Sequence, residues 1–339
     1  MTFKAVKSRF SLILALVMTA GIISGCSSTS TEGDSLTVYS GQHEEFMEPL
    51  FEAFTAETGI KLDVRYGDSA ALAAQILEEG ENSPADVFLS QDAGSLGAVS
   101  AAGIIRELSA DLLNRVPSIY QSVTKDWVGI TGRARVFAYA PDRVTSLPTS
   151  IDDLVTKSWN GRVGIAPTNG SFQAFVSAMI QERGAAATET WLQGIKNNNP
   201  KIYEKNSQIV EAVDAGQIDL GLVNHYYVWE VSEELGRDIN AKIGFFQPGD
   251  MGNLINVSGG SILKQSKKES LANQLLAYLL SDEVQKSYVT DTHEYSLVFA
   301  DLKPADLPAL SEIKAPAIDL STLAGLKATQ ELLVKVGLI

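Results

Sequence analysis

The chain has 339 residues, of which 45% are hydrophobic and 20% are charged, and its formal net charge is -14 at pH 7. These proportions are ordinary for a globular protein, and the length is sufficient for two packed units. The acidic net charge argues against a nucleic-acid partner, which would need a basic face.

The first residues have the pattern of an export signal. A basic segment (residues 4–9) precedes an apolar run (residues 10–23), which is too short to favour a stable membrane span and ends at Ser24-Gly25-Cys26. This ending resembles the bacterial lipobox, in which the cysteine is diacylated and becomes the new N-terminus. We therefore expect a signal peptide over residues 1–25, lipid attachment at Cys26 and a flexible tether over residues 26–35. The alternative is a plain secretory signal with an incidental cysteine.

Strand and helix patterns alternate along the rest of the chain. The predicted strands cover residues 36–39, 60–66, 85–89, 136–139, 163–165, 219–223 and 259–263, and the predicted helices cover residues 44–58, 70–79, 171–183, 226–235, 269–280 and 281–290. This alternation predicts an α/β fold with a mostly parallel sheet and helices on both faces. Two such units without an internal repeat indicate two lobes around a cleft.

Ligands of open α/β sheets bind beyond the carboxyl ends of the strands, which directs attention to the loops there. The most informative loop contains Asn224-His225-Tyr226-Tyr227, at a strand-to-helix junction. A phenol has an ordinary pKa of about 10 and ionises at neutral pH only beside a strong cation such as a trivalent metal. Tyr226 and Tyr227 are therefore candidate ligands of ferric iron, or else two aromatic residues at a helix start.

Two further loops carry candidate binding groups. His43 follows the first strand, and imidazole is a common metal ligand, although a histidine here can equally cap the next helix. The turn Asn169-Gly170-Ser171 opens a helix, whose N-terminal N–H groups can bind an anion or be capped by the asparagine or serine side chain. His225 and His293 are interpreted as structural.

Taken together, these segments resemble the periplasmic ferric-iron-binding proteins of bacterial ABC importers. The resemblance runs through most of the chain beyond residue 36. It is carried, in the same order and spacing, by the segments VYSGQH (38–43), AFTAETGIK (53–61), PADVF (84–88), GRARV (132–136), WNG (159–161), KNS (205–207) and NHYY (224–227). The double tyrosine after an asparagine is the most specific of them.

The resemblance implies a set of metal ligands. Tyr226 and Tyr227 occupy the place of the two consecutive tyrosines that bind Fe³⁺ in that family, and His43 matches a histidine ligand of many members. A family glutamate falls at Gln91 here, and a neutral amide is a poor ligand for Fe³⁺. Either Asp92 substitutes for it, or water or a bound anion completes the coordination.

The family also binds a synergistic anion, such as phosphate, carbonate or citrate, beside the metal. The residues that match its anion-binding positions are Asn169, Gly170, Ser171, Asn206, Asn224 and Arg133. For Arg133 the alternative role is an ion pair at the surface or between the lobes.

The implied architecture is the two-lobed type II periplasmic-binding-protein fold. The resemblance assigns residues 36–135 and about 254–300 to the N-terminal lobe, and residues 136–253 and about 301–339 to the C-terminal lobe. Connecting strands are expected near residues 136–139 and 245–253. His43 and the two tyrosines then come from different lobes, so that full coordination requires closure of the cleft.

The expected protein is a monomeric, membrane-anchored extracytoplasmic lipoprotein that delivers Fe³⁺ to an ABC permease and catalyses no reaction. One rival is a binding protein for a metal-free solute, such as a small anion, a phosphonate or thiamine, and the Gln91 departure supports it. An extracytoplasmic hydrolase is a second rival, although the chain has no Gly-x-Ser-x-Gly or His-Glu-x-x-His motif. A third is an adhesive surface lipoprotein.

Overall fold

The structure is a computed structural model that describes residues 35–324 and 326–339. The predicted signal peptide, Cys26 and nearly all of the predicted tether lie outside the described residues. Within the described ranges, no helix is long and apolar enough to cross a membrane.

The helices and strands have the following bounds. The strands are β1 (Ser35–Ser40), β2 (Lys61–Tyr66), β3 (Val87–Ser90), β4 (Trp127–Tyr139), β5 (Val163–Ile165), β6 (Lys201–Ile202), β7 (Leu220–Asn224), β8 (Lys242–Gly244), β9 (Ile255–Ile262) and β10 (Tyr295–Ser296). The helices are α1 (Glu44–Thr58), α2 (Ser69–Glu79), α3 (Ala93–Ala101), α4 (Ala110–Leu113), α5 (Gly170–Arg183), α6 (Ala185–Asn197), α7 (Asn206–Asp214), α8 (Tyr227–Glu234), α9 (Glu269–Leu279), α10 (Asp282–Asp291), α11 (Leu310–Ile313) and α12 (Leu326–Val336).

The strands lie in the order β2-β1-β3-β9-β4-β7-β5-β6, and β8 and β10 also pair with β4. The prediction of parallel pairing is confirmed for β1 with β2 and β3, and for β5 with β6 and β7. It is wrong at the centre, where β3–β9, β9–β4 and β4–β7 are antiparallel. The central strands run in opposite directions because the chain leaves the first half of the sheet through β4 and returns to it through β9.

Strand β4 links the two halves of the sheet. Its first part, Trp127 to Ala134, pairs with β9, and its second part, Arg135 to Tyr139, pairs with β7. Only the second part was predicted as a strand. Nearly the whole of β4 is buried, so that its pairing on both sides determines its conformation despite the glycines and arginines that interrupt the hydrophobic pattern.

Local signals position the loops at the strand ends. Helix α1 has the predicted bounds and ends where Gly59 adopts a left-handed conformation with φ of 75°. The Asp68 side chain caps α2, and the Asp92 side chain caps α3. These caps place the ends of β2 and β3 beside the same cavity.

The C-terminal part of the chain packs across α3. A β-carbon at Gly97 would overlap the carbonyl oxygen of Ser321, so the 3-10 turn Leu320–Ala324 approaches α3 at a distance that only glycine allows. Leu323, in this turn, contributes to the wall of the cavity described next.

Candidate metal and anion site

Two adjoining cavities lie at the carboxyl ends of β3 and β7. The smaller has a volume of about 230 Å³ and the larger about 730 Å³. Four residues line both cavities, namely Gln91, Asn169, Tyr226 and Tyr227. Every residue that the sequence singled out for binding except Asn206 lines one cavity or both, so the fold brings these distant segments together.

The two tyrosines stand between the cavities. Strand β7 ends at Asn224 and α8 begins at Tyr227, and the two tyrosine rings lie with centroids 4.4 Å apart at 34°. Burial and the neighbouring Tyr227 phenol raise the pKa of Tyr226 well above its ordinary value, although Arg133 opposes this effect. In the metal-free protein the Tyr226 phenol is therefore neutral, and only a strongly charged partner can draw off its proton.

The three histidines have different environments. His43 is exposed at the start of α1 and lines the larger cavity together with Tyr226 and Tyr227. His225 is fully buried, where its Nδ1 accepts a hydrogen bond from the Ala134 N–H at 3.2 Å and its Nε2 lies 2.7 Å from the carbonyl oxygen of His293. Burial lowers the pKa of His225 to about 4, which keeps this imidazole neutral.

A hydrogen-bonded cluster orders the start of α5. The Asn169 Oδ1 accepts hydrogen bonds from the Ser171 N–H at 3.0 Å and the Ser171 hydroxyl at 2.6 Å. The Asn206 Nδ2 donates to the Ser171 Oγ at 3.0 Å, from a position behind the cavity wall. Gly170 and Asn224 line the smaller cavity itself. Capping and anion binding can therefore coexist at this helix start.

Arg133 is the unusual member of the smaller cavity. Its side chain is buried, yet no ion pair and no side-chain hydrogen bond is found for it among residues 35–324 and 326–339, and its Nε is without a partner. Burial opposes its charge, but Tyr226, Glu294 and Asp92 outweigh that effect and raise its pKa. A buried guanidinium with unused donors beside a cavity is suited to bind an anion.

A second buried arginine escaped the sequence analysis. Arg135 donates from Nη1 to the Ser171 Oγ at 3.0 Å and from Nη2 to the Leu222 carbonyl oxygen at 3.3 Å. Burial lowers its pKa to about 9, and it stacks against Phe172 and Phe175. It thus holds Ser171 in place and adds positive charge behind the helix start. The one sequence feature that could have indicated Arg135 is that it lies two residues after Arg133, which puts both arginines on the same face of β4.

The loop after β3 contains Gln91 and Asp92. The Gln91 N–H donates to the Ser69 Oγ at 3.0 Å, and its side chain lies at the boundary of both cavities. Asp92 lines only the smaller cavity, and its two carboxylate oxygens accept hydrogen bonds from the Ser95 N–H at 2.8 Å and the Ser95 hydroxyl at 2.9 Å. The Asp92 carboxylate is thus engaged as the cap of α3.

Glu294 is a carboxylate that the sequence analysis missed. It lines the larger cavity and accepts a hydrogen bond from the Thr131 hydroxyl. Burial raises the pKa of Glu294, while Arg133 and the hydrogen bond from Thr131 oppose the rise. No motif marks this position. Within the described parts of the chain, this site included, no three His, Cys, Asp or Glu side chains are grouped so as to hold a metal.

The strand order, with one long strand shared by two halves of the sheet and paired cavities at the strand ends, defines a two-lobed α/β binding protein. Solved structures confirm the type II periplasmic-binding-protein fold. The chain matches iron-bound HitA from Pseudomonas aeruginosa with a TM-score of 0.82 and 35% identity, over 89% of this chain and 99% of that one. It matches a Trichodesmium protein in complex with iron and citrate with a TM-score of 0.79 and 30% identity, over 89% and 99%.

The chain belongs to the family of bacterial extracellular solute-binding proteins, whose model matches residues 36–289. It is 35% identical to the major ferric iron-binding protein of Neisseria meningitidis serogroup A over 308 residues, which is 89% of this chain and 93% of that protein. It is 31% identical to the Fe(3+)-binding periplasmic protein of Serratia marcescens over 330 residues, or 96% and 97%. The resemblance to the periplasmic ferric-iron-binding proteins is thereby confirmed.

Proposed function

We propose that this protein captures Fe³⁺ together with a synergistic anion and delivers it to the permease of an ABC importer. The observation that carries the proposal is the meeting of Tyr226 and Tyr227 with His43 at one cavity, directly beside a second cavity that contains the unpaired Arg133. Phenolate oxygen and imidazole nitrogen suit a hard trivalent cation, and its charge supplies what is needed to ionise the phenols.

The proposed metal ligands are Tyr226, Tyr227 and His43. Asp92 was predicted as a further ligand and stays a prediction. It is less suited to this role than the other three residues, because its carboxylate already caps α3 and lines the smaller cavity. For the anion we propose the residues predicted from the family pattern, namely Asn169, Gly170, Ser171, Asn206, Asn224 and Arg133. Phosphate, carbonate and citrate all suit such a set of donors, and citrate accompanies iron in the Trichodesmium structure.

Capture is proposed to proceed by closure of two lobes, divided as predicted from the sequence. The change of pairing partner between Ala134 and Arg135 in β4 supports one crossing point, and the segment between β8 and β9 is the second. On this division His43 lies on one lobe and the tyrosines on the other. The metal then stabilises the closed form because it binds that form more tightly.

The way in which the protein is used follows from its binding role. We propose that it acts as a monomer outside the cytoplasm, catalyses no reaction, and is attached through a lipid on Cys26 to the membrane in which its permease resides. A diacyl anchor keeps a binding protein close to its importer, since two acyl chains give stable membrane attachment.

The visible spectrum tests the iron assignment. Purified protein mixed with a ferric salt and phosphate or citrate is expected to become coloured through phenolate-to-iron charge transfer. The Tyr226→Phe/Tyr227→Phe double variant should lose the colour, whereas Tyr203→Phe, which changes a phenol outside both cavities, should keep it. Absence of colour in the wild type, or unchanged colour in the double variant, would refute the proposal.

A second candidate is a binding protein for a small anion without metal, which Arg133 favours because its Nε has no hydrogen-bond partner among the described residues. Calorimetric titration with phosphate in the presence of a metal chelator distinguishes the two. Tight binding of phosphate without iron, combined with a colourless ferric mixture, would favour this candidate over iron capture.

A further inference from the structure

The fold brings Glu294 from a distant part of the chain to the candidate metal site. Strand β10 pairs with β4 through Tyr295 opposite Gly132 and Ser296 opposite Thr131. One step further along the same register, Glu294 comes opposite Arg133. The Thr131 hydroxyl donates to the Glu294 Oε2, which orients the carboxylate, and no hydrogen-bond partner is found for its Oε1 among the described residues.

The surroundings of Glu294 are those of a metal ligand. It lines the larger cavity with His43, Tyr226 and Tyr227, so that the four side chains face one space. The Glu294 side chain is partly buried and forms no direct ion pair within the described residues, and the charge of Arg133 on β4 acts on it. A partly buried carboxylate whose hydrogen bond engages only one of its oxygens is stabilised further when a cation binds it.

We propose that Glu294 supplies the anionic carboxylate of the Fe³⁺ site in place of the carboxylate that is missing at Gln91. The inference rests on the proposed function. Charge supports it, because two phenolates leave one positive charge on Fe³⁺ before the synergistic anion is counted, and one carboxylate neutralises that charge within the protein's own ligand set. Glu294 is better placed than Asp92, since it lies in the cavity of the other three ligands and has an oxygen that is not engaged.

The ligand set then has two donors from each half of the molecule. Glu294 precedes β10 and His43 follows β1, both in the half of the sheet that contains β9. The tyrosines follow β7 in the other half. A glutamate at position 91 would also give two ligands from each half of the sheet. A carboxylate at Glu294 keeps this division, although it comes from a different strand end.

The test compares Glu294→Gln with Glu211→Gln, which removes a carboxylate from the exposed wall of the same cavity. Iron affinity is measured by competition with a chelator at saturating phosphate, and the charge-transfer band is recorded for each protein. We expect Glu294→Gln to lose about 100-fold in affinity, since loss of outer-sphere partners alone costs 10–100-fold. Its band should move to longer wavelength because iron with one anionic donor fewer is a stronger acceptor. Glu211→Gln should match the wild type.

Each other outcome has a distinct meaning. If the wild type gives a coloured complex and Glu294→Gln retains both its affinity and its band, Glu294 is not a ligand, although the proposed function stands. A fall in affinity with an unmoved band also overturns the inference, since Glu294 would then act through Arg133. A colourless wild type refutes the proposed function itself.

Two further variants guard against a folding defect. Glu294→Asp keeps the negative charge and serves as the test if Glu294→Gln does not fold. We expect it to bind iron more weakly than the wild type while its charge-transfer band stays at the wild-type position. Wild-type affinity in this variant would overturn the inference. Adding Gln91→Glu to Glu294→Gln should restore most of the affinity, because the site needs one carboxylate and position 91 adjoins the same cavity. Failure of this rescue would count against the proposed exchange.

Discussion

Replacing Arg133 by methionine should separate anion binding from stability. The substitution keeps most of the side-chain length but removes the guanidinium. Because no side-chain hydrogen bond or ion pair of Arg133 is found among the described residues, the variant loses no direct polar contact of that side chain. Loss of the attraction to Glu294 and Asp92 is offset by removal of a buried charge, so we expect the free energy of unfolding of the metal-free protein to change by no more than about 1 kcal/mol.

Anion binding should respond much more strongly. A ligand at 100 times its dissociation constant stabilises the wild type by about 2.7 kcal/mol, which for a chain of this size corresponds to a rise in melting temperature of roughly 5 °C. Arg133→Met should show almost none of this rise when phosphate is titrated in differential scanning calorimetry. Its iron complex should also become insensitive to added phosphate.

Arg115→Met is the control, because Arg115 is partly exposed on the surface and forms an ion pair with Asp282 at 2.8 Å. It should keep the full response to phosphate. If Arg133→Met instead lost several kcal/mol of stability and still responded to phosphate like the wild type, Arg133 would be a structural residue and the assignment of the smaller cavity to an anion would be wrong.

Two pH dependences follow from the site. Burial holds the pKa of Tyr226 well above its ordinary value, so iron must displace the proton of this phenol. The apparent iron affinity should therefore fall about tenfold for each unit by which the pH is lowered, counting this phenol alone. A flat affinity between pH 7.5 and pH 6, measured by competition with a chelator, would contradict phenolate ligation. His225 has an unfolded pKa near 6.5 and a folded pKa of about 4, so only the unfolded chain takes up its proton between these values. Stability of the metal-free protein is then fully present above about pH 6.5 and should decline by up to about 3 kcal/mol as the pH falls to 4. Urea unfolding should show this slope in the wild type and a shallower one in His225→Gln; equal slopes would rule out His225 as its source.

The sequence predicted best where the pattern is local. Helix α1 has the predicted bounds because its apolar residues recur at helical spacing and Gly59 ends it. Helix α3 was missed, since its small residues give almost no amphipathic signal, and it is packed under the distant turn Leu320–Ala324. The first part of β4 was missed for a related reason. Its conformation is determined by strands from elsewhere in the chain, which no local pattern reveals.

The same distinction applies to the site. Tyr226 and Tyr227 could be singled out from the sequence as candidate ligands because two phenols at a strand-to-helix junction are a compact local signal, which the family resemblance strengthened. Glu294 was not, because its position depends on the pairing of β10 with β4, which joins segments more than 160 residues apart. Arg133 was found only through the family resemblance, and its lack of a partner could be recognised only in the folded chain.

The division of charge between the two cavities gives a physical reason for a glutamine at position 91. Gln91 lines both cavities, so a glutamine there leaves one negative charge fewer beside the anion that Arg133 is proposed to hold. Glu294 lines only the larger cavity, on the side of His43. Moving the negative ligand from position 91 to Glu294 therefore removes a carboxylate from the wall of the smaller cavity, where Asp92 remains, and keeps one at the larger cavity. If Glu294 is the ligand, as proposed, we expect the departure from the family pattern to change how the anion and the metal share the site and to leave iron binding intact.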